Sequence, residues 1–209
     1  DPEMSRGLGD VYKRQNQDYY SIPSSESDLQ LYILADGMGG YNGGEIASRL
    51  AAETTKNYIQ NNFKKIEHDK EAILKLVKDA MEYANMVVYE ESKKDENLQG
   101  MGTTLVLAIL TKDYLLFGNV GDSSGFVMKD DKLHKVTYDH TLVNLLVSAG
   151  ELTKEEASVH PKKNVLMKAL GAATSVEVDI FDCDMDITEI LLSSDGLTNM
   201  LDKDQIEKV

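Results

Sequence analysis

Three apolar runs of strand length each end in an aspartate beside glycine, and this constrains the chain more than any other feature. Leu31-Tyr-Ile-Leu-Ala-Asp36-Gly37 leads into Met38-Gly39-Gly40 and a second glycine pair, Gly43-Gly44. Phe117-Gly-Asn-Val-Gly121-Asp122 and Leu191-Leu-Ser-Ser-Asp195-Gly196 repeat the arrangement. A carboxylate at a strand end sits on rigid backbone yet faces an open rim. Glycine beside it permits positive φ and lets a ligand approach the main chain, so the Gly37 carbonyl joins the available oxygen donors. A single Asp-Gly is an ordinary strand-turn-helix corner. Three in one small domain point to a shared divalent-metal site.

Read in order, Asn16-Gln17-Asp18, Asp36-Gly-Met-Gly-Gly40, Gly102-Thr-Thr104, Gly121-Asp-Ser123 and Ser194-Asp-Gly196 resemble the motif series of the metal-dependent PPM/PP2C protein phosphatases, in the compact bacterial single-domain branch. The resemblance implies an α+β fold, a four-layer αββα sandwich, and hydrolysis of phosphoserine and phosphothreonine on proteins. It implies that Asp36 bridges two Mg²⁺ or Mn²⁺ ions, that Asp195 holds one and that the Gly37 carbonyl helps hold the other. Asp18 joins them directly or through water, and Asp122 contributes to an additional ion, giving two or three in all. Asp36 and Asp195 then act through a metal-activated water that attacks phosphorus in line, between ions roughly 3.5–4 Å apart as in two-metal sites generally. The metals also offset charge on the equatorial oxygens. No phosphoenzyme is needed, in keeping with the lack of a Cys-based phosphate loop. The implied partners are phosphorylated proteins and a paired serine/threonine kinase system, with the phosphatase a cytoplasmic monomer. The alternative is a catalytically impaired relative that binds phosphoprotein or a kinase without turnover. A plain Ca²⁺ or Mg²⁺ module without phosphate chemistry is a second rival.

At 209 residues the chain is long enough for one domain with a sizeable core and short for two. No apolar run approaches the roughly 20 residues of a membrane span, and no signal peptide is visible. Cys183 is the single cysteine, which rules out a disulfide within the chain and fits a reducing compartment. The formal charge of −14 argues against nucleic acid or an anionic membrane as the main partner. It also repels a phosphosubstrate unless bound cations reverse the local field.

The two ends depart from the family pattern. Asp10-Val-Tyr-Lys-Arg-Gln15 looks like a translated sequencing adapter, so residues 1–15 are expected to be a non-native leader. The family's phosphate-binding arginine, five residues before the motif aspartate, falls on Lys13, with Arg14 one place out of register. From Asn16 onward the only arginine is Arg49, within a helix. Lysine offers charge without the planar fork that suits phosphate. Ser124 stands where the family usually has another arginine. The family's final strand, with its Asp-Asn pair, has no counterpart before Val209, so residues 16–209 are expected to form a phosphatase domain short of that strand.

Periodicity supplies the rest. Apolar residues at three- and four-residue steps predict helices over 44–63 and 69–91, the first with Ile46, Ala47, Leu50, Ala51, Tyr58 and Ile59 on one face. Strands are expected over 29–35, 101–110, 114–120, 124–129, 132–136, 176–184 and 189–194, with Asp130-Asp131 a hairpin connection. Thr103 and Thr104 fit a buried strand start where hydroxyls satisfy nearby backbone. Asp139-His140 is expected to cap a helix over 141–149 that turns Leu142, Leu145, Leu146 and Ala149 to the core. His140 reads as structural, and Ser193 and Ser194 lack a histidine partner for nucleophilic work. Thr153-Lys-Glu-Glu-Ala157 resembles the family's flap beside the active site, linked there to substrate choice, with His160 organising it. A last helix is expected to begin at Leu197.

Overall fold

Alternation builds the main sheet. In the computed structural model, which describes residues 16–23, 28–40 and 43–208, Leu31, Ile33 and Ala35 of Gln30–Met38 (β2) turn to the core while their neighbours stay half-buried. The leader expected over residues 1–15, with Lys13 and Arg14, lies outside the described residues. Asp18–Ser21 (β1) pairs antiparallel with β2 on one side, and Leu105–Leu110 (β4) on the other. Leu115–Val120 (β5) and Asp179–Cys183 (β8) complete the order β1-β2-β4-β5-β8, with Gly102–Thr103 (β3) also on β2. A second, three-stranded sheet runs β7-β6-β9 from Lys132–Lys135 (β7), Ser124–Lys129 (β6) and Glu189–Ser193 (β9). Asp130 and Asp131, at φ 52° and 58°, make the tight β6–β7 hairpin, a left-handed pair that acidic turn residues tolerate.

Helices Gly43–Phe63 (α1) and Lys70–Glu91 (α2) cover one face of the larger sheet, and Asp69 caps α2 by accepting the Ala72 N–H. Ala47, Ala51 and Ile59 of α1 meet Ile73, Val77, Ala80 and Met81 of α2 in the principal core, with Ile46, Leu50 and Tyr58 packed at its border. Full burial of each large aliphatic here contributes about 1.5–3 kcal/mol. A smaller core between the sheets unites Ala108, Leu115, Phe117 and Val127 with Phe181, Ile190 and Leu192. Short helices Asp195–Thr198 (α5) and Lys203–Ile206 (α6) lie against the small sheet, where Leu197, Leu201 and Ile206 face Met128, Leu133 and Leu191 across an apolar groove. The layering is the expected αββα.

Several expectations need correction. Strand β2 does not stop at Ala35 but continues through Asp36 to Met38. The single strand expected over 101–110 is broken at Thr104, yet both pieces keep one register, with Leu34 opposite Val106 and Gly37 opposite Thr103. The break arises because the Asp36 N–H donates to Thr104 Oγ1 (3.0 Å), so a side-chain oxygen takes the place of a ladder carbonyl. The helix after His140, Leu142–Ser148 (α3), is capped by Thr141 and not by Asp139. Only its Val143 is buried, and Leu145 is 54% exposed, so the leucine face expected to meet the core does not. The flap turn forms a helix, Lys154–Val159 (α4), closed by a Thr153–Glu156 capping box.

Candidate active site

Antiparallel pairing sets Asp18 of β1 directly opposite Asp36 of β2. The Asp18 backbone N–H donates to Asn16 Oδ1 (2.9 Å), and Ser194 Oγ donates to Asp18 Oδ2 (3.3 Å), which joins the end of β9 to β1. Asp195 follows at once as the first residue of α5, and Asn199 Nδ2, one turn on, donates to its Oδ2 (3.0 Å). Asp18, Asp36, Gly37 and Asp195 all line one cleft of about 800 Å³.

Close packing dictates the glycine at position 37. A Cβ there would lie 2.0 Å from the Gly44 carbonyl oxygen, and one on Gly44 would lie 2.4 Å from Gln17 Oε1. The Gly37 N–H donates to the Gln17 carbonyl (3.2 Å), and Ser48 Oγ donates to the same oxygen (2.6 Å). The start of α1 is thereby pressed against the two aspartate-bearing strands.

Asp122 sits on the turn after β5, where Gly121 at φ +114° passes so near Thr104 that an added Cβ would stand 2.6 Å from the threonine Cβ. Thr104 Oγ1 and Ser123 Oγ are hydrogen-bonded at 2.7 Å, both residues buried. His140 grips the same turn from the other side. Its Nδ1 accepts the Gly121 N–H (3.0 Å), its own N–H donates to the Gly121 carbonyl (2.9 Å), and its Nε2–H therefore points to Asp179 Oδ2 (3.1 Å). Asp122 and Asp195 together line a second cleft of about 500 Å³ next to the first.

The electrostatics of this arrangement are one-sided. Burial, followed by the charges of Asp18, Asp195 and Asp122, pushes the Asp36 carboxyl up to about 7. Burial and then the Asp195 charge push Asp122 up to about 6, against a partial offset from Lys135. Among the described residues no Lys, Arg or His forms an ion pair with Asp18, Asp36, Asp122 or Asp195. Nor, among those residues, do three His, Cys, Asp or Glu side chains converge into a ready metal cage. Hard cations do not require one. Mg²⁺ keeps several waters and takes only one or two carboxylates. An all-oxygen donor set without an ion-paired cation among the described residues fits hard divalent ions.

The order of these residues along the chain decides the family. A model of the protein phosphatase 2C family matches residues 12–209. The chain belongs to the protein phosphatase 2C family. Among curated relatives, the serine/threonine phosphatase stp of Listeria welshimeri is 38% identical over 94% of this chain and 78% of its own length. Among solved structures, serine/threonine phosphatase Stp1 from Staphylococcus aureus is 30% identical with a TM-score of 0.81, over 93% of this chain and 76% of that one. The S. agalactiae serine/threonine phosphatase is 34% identical with a TM-score of 0.78, over 93% of this chain and 79% of that one. Phosphatase 2C enzymes are metal-dependent.

In this phosphatase 2C chain the fold brings Asp18, Asp36, Gly37 and Asp195, expected from the sequence, to one cleft and Asp122 to its neighbour. Ser194 is occupied with Asp18, and Ser193 Oγ donates to the Ser194 carbonyl (2.7 Å), so neither is set up as a nucleophile. Ser124, in the place of a usual arginine, is buried and donates to Asp139 Oδ1 (3.1 Å). Asp139 also pairs with Lys135 (2.6 Å), which is its role in place of the expected cap. His160 Nδ1 accepts the Lys162 N–H (3.1 Å) within the flap. The sequence reading missed Asn199, though its place four residues after Asp195 in a helical stretch is the spacing at which side chains meet. It gave no role to Lys135, Lys154 or Lys163, which line the second cleft, although Lys154 falls within the flap stretch.

Proposed function

We propose that this chain hydrolyses phosphoserine and phosphothreonine esters on proteins with divalent ions held by Asp18, Asp36, the Gly37 carbonyl, Asp122 and Asp195. The observation that carries the reading is the group of half-buried aspartates around adjoining clefts, with Asp36 pushed up to about 7 and no cationic side chain paired with them among the described residues. When bound, Mg²⁺ or Mn²⁺ supplies charge for the phosphate oxygens and a water acidified enough to attack phosphorus. The chain's own residues set the positions. Thr104 fixes the Asp36 backbone, Ser194 orients Asp18, Asn199 orients Asp195, and the Gly121 turn presents Asp122. Asp36, central to the cluster, serves as the shared ligand, and Asp195 as the ligand common to both clefts.

Residues 16–209 act as one phosphatase domain. Its substrates are phosphoproteins in the cytoplasm, made by a serine/threonine kinase that works on the same proteins. The names of the relatives support this choice of substrate, since each is a serine/threonine phosphatase. Calorimetric titration of Mn²⁺, paired with phosphate release from a phosphothreonine peptide, tests the assignment. Asp36→Asn is expected to lower release at least a hundredfold and to weaken Mn²⁺ binding. Undiminished turnover by that variant would refute the role given to Asp36.

A further inference from the structure

The cleft around Asp36 passes through Asp195 and Asn199 into the second cleft, whose outer wall is the flap. Lys154 and Ala157 of α4, Lys163 beyond it, and Val143 and Val147 of α3 line this wall and its floor. Three lysines and three aspartates face the space, yet the charges are not evenly matched. Lys135 is spent on Asp139 at 2.6 Å. Asp122 and Asp195 are the groups assigned above to cations. Lys154 and Lys163 have exposed side chains and, among the described residues, form no ion pair. The flap therefore presents two uncommitted positive charges above an aliphatic floor, in a chain whose formal charge is −14.

We propose that the flap cleft is a subsite for an acidic side chain flanking the phosphoresidue, so that preferred substrates carry glutamate or aspartate beside the phosphoserine or phosphothreonine. The inference rests on the phosphatase reading above. A carboxylate entering from the Asp36 cleft meets Lys154 and Lys163 with no competing anion left free on the wall. A lysine or arginine entering there meets two like charges, which suppresses the wrong partner. Glutamate has the better shape, because its methylenes lie over Val143, Val147 and Ala157 while its carboxylate reaches the ammonium groups. Exposed pairs of this kind are individually weak and screened by salt, so the expected preference is about tenfold.

The test separates binding from turnover. Two phosphothreonine peptides of equal length, one flanked by glutamates and one by lysines, are titrated into the protein with Mn²⁺ at low salt and followed by fluorescence anisotropy. Phosphate release is measured in parallel. The glutamate peptide is expected to bind about tenfold tighter, against the sign of the net charge, and the preference is expected to vanish in 0.5 M salt. The double variant Lys154→Glu/Lys163→Glu is expected to reverse the order. Equal binding, tighter binding of the lysine peptide, or a preference that survives the double variant overturns the subsite. Failure of the underlying reading has a different signature: neither peptide releases phosphate, whatever their order of binding.

Discussion

Thr104 Oγ1 and Ser123 Oγ, 2.7 Å apart, join the strand β2 that carries Asp36 to the turn that carries Asp122. The same threonine oxygen accepts the Asp36 N–H, and the threonine N–H donates to the Asp36 carbonyl (2.9 Å). One buried side chain thus spans both aspartate positions. Thr104→Val keeps the shape and leaves the Asp36 N–H and the Ser123 hydroxyl without this partner. Unsatisfied buried groups cost about 1–3 kcal/mol each. The variant is expected to melt several degrees lower and to bind Mn²⁺ more weakly, whereas Thr104→Ser retains most of both. Thermal melts and calorimetry on the pair check this, and equal Mn²⁺ affinity in Thr104→Val would remove the coupling.

Asp36 makes the metal-free protein sensitive to pH. Its folded value of about 7 lies above its ordinary value of 3.8, so the folded state holds more protons between the two. The stability associated with that proton is fully present below about pH 4 and is lost as pH rises through about 7. In chelator, the melting temperature is expected to fall from pH 5 to pH 8, and Asp36→Asn is expected to flatten that fall and melt higher at pH 8. Added Mn²⁺ restores the wild type by mass action and barely shifts the variant. A variant that melts lower than wild type at pH 8 without metal would contradict the repulsion.

His140 places its imidazole between the Gly121 N–H and Asp179, an arrangement only one neutral tautomer satisfies. His140→Phe fills the space without an acceptor and leaves the Gly121 N–H unsatisfied. It is expected to destabilise the fold by about 2 kcal/mol. If Asp122 holds an ion as proposed, that ion is expected to be lost before one held at Asp36, because His140 grips the turn that carries Asp122. Calorimetric stoichiometry resolves the order of loss, and an unchanged isotherm would show that the turn holds without His140.

Backbone packing yields a contrast between two glycines of one motif. Gly37→Ala drives a methyl to 2.0 Å from the Gly44 carbonyl oxygen, a contact that only backbone movement relieves. A cost of about 3 kcal/mol or more is expected. Gly40 has nothing within 4 Å of an added Cβ, and Gly40→Ala is expected to stay within about 0.5 kcal/mol of wild type. Parallel denaturant titrations of the two variants check the difference.

The sequence made the aspartate cluster legible because three apolar strands ended in the same chemistry, and the order of the motifs named the fold. It did not reveal that β2 continues past Asp36, since what extends the ladder is the pairing of Gly37 and Met38 with Thr103 and Gly102, a distant segment, beyond the break made by the Thr104 side chain. The leucines of α3 misled for a related reason. Helical spacing identifies a common face without saying what that face meets, and Leu145 remains exposed beside the flap cleft. The flap stretch holding Lys154 was legible, but a role for Lys154 or Lys163 was not, because a surface lysine has no pattern of its own until the fold places it beside the aspartates.

On the proposed reading, the aspartates around the two clefts work through divalent ions to release phosphate. The most direct test is phosphate release from a phosphothreonine peptide by the full chain, first with Mn²⁺, then with excess chelator, then with Mn²⁺ returned. Release is expected to stop with chelator and to resume when the metal is restored. Release that persists in chelator, or none under any of the three conditions, would contradict it.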